Sequence, residues 1–229
     1  MRDLETKRLL LRKFTLDDAP VMFFNWANDP EVTKYMTWNH HKNIDETKAI
    51  LSKWVEEYNN PKTIRYGITL KNSGELIGGI DVVKFHDDGN PEIGYCLSRR
   101  YWNQGIMTEA CTALLTYLGS IGYTRAYIAA LVDNIGSNRV IEKCGFKFIK
   151  RETQVFSPFK SEVVTVNHYV KELSFFEHKE SYESSDSIND EDDEYEEEEL
   201  TIEERRERAL NAGWDEEEMD LEEFEDYFM

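Results

Sequence analysis

A turn that could bind an anion lies near the middle of the chain, at residues 101–110, between an apolar strand pattern and a helical pattern. It contains Gly105 and ends in small or unbranched residues that favour the start of a helix. The backbone N–H groups at a helix N-terminus point outward and can bind a pyrophosphate without any basic side chain. An ordinary strand-to-helix turn has the same appearance, so the single glycine leaves both interpretations open.

The elements that position this turn follow from the spacing of the apolar residues. Four segments have helical spacing and seven are strand-like, in the order β-α-α-β-β-β-α-β-α-β-β. Strands are predicted over residues 8–12, 65–70, 76–85, 92–97, 125–132, 148–156 and 163–170, and helices from residues 15, 43, 108 and 137. This order predicts an α+β fold with one mixed, mostly antiparallel sheet of about seven strands and helices on both faces.

The charge is concentrated in the last quarter of the chain. The formal net charge is −19, but residues 174–229 hold 25 acidic and 4 basic residues, which leaves residues 1–173 near neutrality at +2. We predict one domain over residues 1–173, an acidic disordered linker over 174–200 and an acidic helical and aromatic tail over 201–229. Such a tail either folds on a partner or serves as a solubilising appendage.

Composition excludes several classes of protein and site. No apolar run reaches the roughly 18 residues of a membrane span, and the N-terminus lacks the apolar core of a signal peptide, so we expect a soluble, cytoplasmic protein. Cys96, Cys111 and Cys144 lie in apolar surroundings, which predicts reduced, buried thiols. The five histidines lack companion ligands at a metal-binding spacing, and no strongly basic surface indicates nucleic-acid binding.

Four segments, in order along the chain, resemble the GNAT acetyltransferase superfamily, and in particular its RimJ/RimL-type branch of ribosomal-protein N-terminal acetyltransferases. They are residues 5–12, 91–95, 101–110 and 132–146. The resemblance spans about residues 4–171 and does not include the acidic tail. It implies a GNAT fold, acetyl-CoA as the co-substrate and an amine as the acceptor.

The resemblance also implies how acetyl-CoA would be held. The phosphate loop of the family has the form Arg/Gln-x-x-Gly-x-Gly/Ala, and this chain keeps only the central glycine. The backbone amides of the loop would bind the pyrophosphate, the preceding strand would pair with the pantetheine arm, and an asparagine would hold that arm. The implied cofactor-binding residues are Cys96, Leu97, Gln104, Gly105, Ile106, Met107, Thr108, Asn134 and Asn138.

Acetyl transfer needs a base for the acceptor amine and an acid for the leaving thiolate. Glu92 matches the glutamate that the family often uses as the base, usually through a water, although it could instead be a hairpin carboxylate that faces solvent. The tyrosine acid of many GNAT enzymes corresponds here to Ile141. Ser137 matches a serine given the acid role in the Rim-type branch, and a plain helix N-cap is its other interpretation.

The acceptor is less well defined. Trp26, Tyr35, Met36 and Trp38 would overlie the cleft and suit a peptide N-terminus, or they could belong to the core. We expect a protein or peptide N-terminal α-amine as substrate and a basic protein, such as a ribosomal protein, as partner. A small amine (an aminoglycoside, polyamine or amino acid) is the alternative, and so is a non-catalytic module that binds CoA or works through the acidic tail. Monomer and homodimer both stay open.

Overall fold

The computed structural model of the chain describes residues 1–155 and 162–173, and all elements below lie there. Eight strands are present in these residues: β1 Leu4–Glu5, β2 Leu9–Arg12, β3 Arg65–Leu70, β4 Leu76–Phe85, β5 Pro91–Leu97, β6 Arg125–Leu131, β7 Lys147–Val155 and β8 Val163–Glu172. The α-helices are α1 Ala19–Met22, α2 Pro30–Thr33, α3 Ile44–Glu57, α4 Ile106–Ser120 and α5 Ile135–Lys143. A π-helical turn, Phe23–Ala27, continues α1.

The predicted order of elements is confirmed, with two additions. The two-residue strand β1 pairs with β2, and the one-turn helix α2 follows Asp29, whose side chain accepts from the N–H of Glu31. Helices α4 and α5 begin at Ile106 and Ile135, two residues before the predicted positions, because Gly105 and Asn134 are their N-caps. The predicted linker and tail, residues 174–200 and 201–229, lie outside the described residues.

The strands form one sheet in the order β1-β2-β3-β4-β5-β6-β8-β7, which confirms the prediction of a mixed, mostly antiparallel sheet. All neighbouring pairs are antiparallel except β5 and β6. These two parallel strands pair at Glu92 and Tyr127 alone. Beyond this pair they diverge, so the sheet opens between the C-terminal ends of β5 and β6.

Two hydrophobic clusters cover the two faces of the sheet. Neighbouring residues of a strand point to opposite faces, and in β4 Leu76 packs into one cluster while Ile77 packs into the other. The first face is covered by α4, whose buried side chains include Leu114 and Leu118, and the second by α1 and α3, where Leu51 is fully buried. The prediction of helices on both faces is therefore confirmed.

No helix within residues 1–155 and 162–173 is long and apolar enough to cross a membrane. The three cysteines are free thiols, and Cys111 and Cys144 are buried, as the apolar surroundings predicted.

Candidate active site

The loop between β5 and α4 is shaped by two left-handed residues. Gly105, the N-cap of α4, has φ +73°, and Asn103 has φ +63°. Glycine and asparagine are the residues that adopt this conformation at least cost. The side chains of Ile106 and Met107 are buried, with 2% and 5% exposure. These two residues therefore offer only their backbone N–H groups to a ligand, which explains how the loop accommodates large apolar residues.

An ion pair attaches this loop to the start of the chain. Nε of Arg8 lies 2.8 Å from Oε2 of Glu109, the backbone N–H of Arg8 donates to Oε1 at 2.9 Å, and Thr6 also donates to Oε1. Nη1 of Arg8 donates to the carbonyl oxygen of Gln104 at 3.0 Å. Sequence reasoning missed this role of Arg8, although opposite charges in two of the family-like segments were a usable signal.

Burial raises the pKa of Glu109, but the hydrogen bonds from Thr6 and Arg8 outweigh this effect and hold it below its ordinary value. The carboxylate therefore stays charged at neutral pH and keeps the loop attached.

The strand before the loop carries the predicted pantetheine-binding residues. The carbonyl oxygen of Leu97 accepts a hydrogen bond from Nε1 of Trp102 at 2.8 Å, which ties the loop back to β5. Cys96 packs beside the α1 and α3 cluster, and burial raises its pKa to about 12. Its thiol is thus protonated at neutral pH and is not a nucleophile.

Helix α5 brings Asn134 and Ser137 to the other side of the opening. Oδ1 of Asn134 accepts from the backbone N–H of Ser137 at 3.1 Å, so Asn134 is the N-cap and the interpretation of Ser137 as the cap is wrong. Oγ of Ser137 lies 2.9 Å from the hydroxyl of Tyr95. Burial raises the pKa of Tyr95, so this phenol keeps its proton. Tyr95 was in a matched segment, but nothing in the sequence indicated its partner.

Asn138 lies in a hydrogen-bond network inside the protein. Its Oδ1 accepts from the hydroxyl of Tyr169 at 2.7 Å and from Nδ2 of Asn167 at 3.2 Å. Its Nδ2 donates to the carbonyl oxygens of Leu131 and Asn134 at 2.9 and 2.8 Å. These contacts connect α5 to β6 and β8, and cofactor binding by Asn138 stays a prediction.

Glu92 stands where β5 and β6 separate. It is 8% exposed, so the interpretation as a solvent-facing hairpin carboxylate is wrong. Its Oε2 lies 2.7 Å from Nε2 of His86 and 3.2 Å from Nζ of Lys84. A cavity of about 400 Å³ lies beside it, and the polar side chains lining it include Lys84, His86, Tyr127, Lys150, Glu152 and His168.

The four predicted substrate-side residues lie in two different environments. Trp26 is 1% exposed and belongs to the cluster under α1 and α3, so packing explains it. Tyr35, Met36 and Trp38 are partly exposed after α2. The ring of Trp38 lies 5.4 Å from that of His41. A substrate role for these three stays a prediction. In the described part of the chain, no group of three or more His, Cys, Asp or Glu side chains could hold a metal ion.

Comparison with known proteins shows which family and which relatives the chain is similar to. Residues 8–147 match the acetyltransferase (GNAT) domain family. The chain is 32% identical over 149 residues to N-acetyltransferase YoaA of Bacillus subtilis, a relative described as uncharacterized; the match covers 63% of this chain and 82% of that one.

Solved structures that are similar in fold include two acetyltransferases. One is RimL, a ribosomal L7/L12 α-N-protein acetyltransferase in complex with coenzyme A, with a TM-score of 0.68, 20% identity, and coverage of 76% of this chain and 100% of that one. The other is the microcin C7 self-immunity acetyltransferase MccE with acetyl-CoA and AMP, with a TM-score of 0.65, 22% identity, and coverage of 73% and 94%.

Proposed function

The chain belongs to the GNAT acetyltransferase family, and we propose that it moves the acetyl group of acetyl-CoA to the N-terminal α-amine of a protein or peptide. The observation that carries this proposal is the position of Glu92. A buried carboxylate stands at the base of the opening between β5 and β6, beside a cavity, while the phosphate loop follows the far end of β5.

Acetyl-CoA would bind along the opening. The first N–H groups of α4, from the turn at Gly105 onward, are free of a side-chain cap and would bind the pyrophosphate. The pantetheine arm would pair with the backbone of β5 around Cys96, where β5 and β6 no longer pair with each other. Asn134, at the end of β6, would face the arm from the opposite side.

Proton transfers complete the reaction. The acceptor arrives as an ammonium group and gives a proton to the Glu92 carboxylate. The amine nitrogen then attacks the thioester carbonyl carbon, and the positively charged nitrogen of the tetrahedral intermediate gives its second proton to water. The C–S bond breaks as the intermediate collapses, and the Ser137 hydroxyl gives its proton to the CoA thiolate. Ser137 then regains a proton from solvent through the hydroxyl of Tyr95, with which it is hydrogen-bonded, and Glu92 returns its proton to solvent.

The cavity beside Glu92 is open on the side of β7, and this supports a polypeptide acceptor. Strand β7, which contributes Lys150 and Glu152 to the lining, is exposed along its whole length. An amine at the end of a long chain could therefore reach Glu92 from that side. The similarity in fold to an acetyltransferase of ribosomal protein L7/L12 agrees with this choice.

The acidic residues 174–229 support a basic protein as the partner. Their net charge of −21 would attract a protein of opposite charge and raise its rate of association. We propose that this segment recruits such a protein, for example a ribosomal protein, to the domain.

The acceptor class is tested with the purified full-length chain, cell extract and isotope-labelled acetyl-CoA, followed by mass spectrometry of proteins and small molecules. We expect the label on protein N-terminal α-amines, and we expect Glu92→Gln, which keeps the shape of the side chain, to lower the rate about 100-fold or more. Label confined to small amines would contradict the acceptor class, and no label in any fraction would contradict acetyl transfer itself.

A further inference from the structure

The carboxylate of Glu92 is oriented by two neighbours that use the same oxygen. Nε2 of His86 and Nζ of Lys84 lie 2.7 and 3.2 Å from Oε2. Within the described residues no hydrogen bond to Oε1 is found. Because an ionised carboxylate only accepts hydrogen bonds, Nε2 of His86 carries the hydrogen of this contact. Oε1 is thus the oxygen left for the acceptor amine.

The imidazole ring of His86 is itself held in place. It lies over the ring of Tyr127, with the ring centres 4.1 Å apart and the planes tilted by 35°. The hydroxyl of Tyr127 donates to Oδ2 of Asp88 at 2.8 Å, and the backbone N–H of His86 donates to the carbonyl oxygen of Asn90 at 2.9 Å. Strand β6 and the turn after β4 therefore fix the direction from which His86 approaches Glu92.

His86 also differs from Lys84 in how firmly it is held. The Lys84 side chain is 57% exposed and the His86 side chain 34%. A lysine ammonium is a point charge on a flexible chain, whereas the imidazole of His86 is a planar ring that lies over Tyr127. His86 therefore donates to Oε2 from one fixed direction.

We infer that His86 is a positioning residue for the acetyl transfer proposed above: its Nε2–H, donated to Oε2, directs Oε1 of Glu92 to the acceptor amine. The inference rests on the proposed function. It adds a residue that acts through Glu92 without touching the acceptor.

The test is the measurement of kcat and KM for CoA thiol release by the full-length chain with a peptide acceptor. His86→Gln keeps an N–H donor, and we expect its kcat to stay within about threefold of the wild type. His86→Phe keeps a ring over Tyr127 but has no donor. We expect its kcat to fall about tenfold while KM for acetyl-CoA stays within about twofold, because only the orientation of Glu92 is lost.

Two controls make the outcome decisive. The exposed His40→Gln should give the wild-type kcat. Thermal unfolding shows whether each variant is folded, and if His86→Phe is not, His86→Leu, which also lacks a donor, takes its place. A folded variant without the donor that keeps the wild-type kcat, or an equal loss of kcat in His86→Gln, would overturn the inference and leave the proposed function standing. A wild type without acetyl transfer would contradict the proposed function instead.

Discussion

The hydroxyl oxygen of Tyr95 lies 2.9 Å from Oγ of Ser137, and this contact joins the two sides of the opening between β5 and β6. Tyr95 and Glu92 point to opposite faces of the sheet because they are three residues apart in one strand. The proposed acid and the proposed base thus reach the opening from opposite faces. A thioester held between the two strands would have the proton acceptor on one side and the proton donor on the other.

Tyr95 and Ser137 should act as a unit. We expect Tyr95→Phe and Ser137→Ala each to lower kcat about tenfold, and the double variant to lose little more than the more damaging single change, because both remove one proton path. The measurement is kcat for the four proteins at saturating acetyl-CoA. Losses that multiply in the double variant would show that the two hydroxyl groups work independently.

Gly105→Ala tests the phosphate loop, with Gly74→Ala as the matched control. Both glycines have φ +73°, and neither site is crowded: an added Cβ at Gly105 would have Arg8 Nη2 at 3.7 Å, and one at Gly74 would meet nothing within 4 Å. Each change should cost about 1–2 kcal/mol of stability from backbone strain. Only Gly105→Ala should weaken binding of CoA, measured by titration calorimetry, because only that turn presents the N–H groups of α4. Equal loss of CoA affinity in the two variants would contradict a phosphate site at Gly105.

Glu109→Gln should change how stability depends on pH. The pKa of Glu109 is lower in the folded chain than its ordinary value of 4.5, so its charge stabilises the fold above that value. We expect a loss of about 1 kcal/mol at pH 7, a modest figure because the Arg8 side chain is 43% exposed. The difference between the two proteins should disappear as pH falls through the lowered pKa. Urea unfolding at pH 7 and at pH 3 measures the difference in free energy of unfolding between the two proteins. An equal difference at both pH values would show that Glu109 stabilises the fold through packing and not through its charge.

The acidic segment should bind a basic protein through charge. Affinity should fall steeply as ionic strength rises, and replacement of Glu196, Glu197, Glu198 and Glu199 by glutamine in the full-length chain should make that fall less steep. Binding measured at several salt concentrations tests this. A complex that is insensitive to salt would instead assign recognition to aromatic residues of the tail such as Trp214 and Phe224.

Residues whose roles depend on local geometry were predicted well. The sequence predicted Gly105 in a turn before a helix, where the structure gives it φ +73°, and the strand and helix order followed from apolar spacing. The start of α5 was misplaced because Ser137 and Asn134 are both good N-caps, and the sequence does not show which one caps the helix.

The residue pairs that form the candidate site are far apart in the sequence or depend on how two strands are aligned. Arg8 and Glu109 are 101 residues apart, and Tyr95 and Ser137 are 42 apart. Lys84 lies opposite Glu92 only because the β4–β5 register shifts between Val82 and Lys84. A one-residue shift moves a side chain to the other face of a sheet, and periodicity does not reveal such a bulge.

The sequence by itself determined the family, the order of elements, the glycine turn before α4 and the separation of a nearly neutral segment from an acidic one, because each depends on local residue types and their spacing. The tertiary structure alone decided that Glu92 is buried, that His86 and Lys84 share one of its oxygens, and that Tyr95 is joined to Ser137. These relations arise where β5 and β6 separate, and side chains from distant parts of the chain meet there only after the sheet has formed.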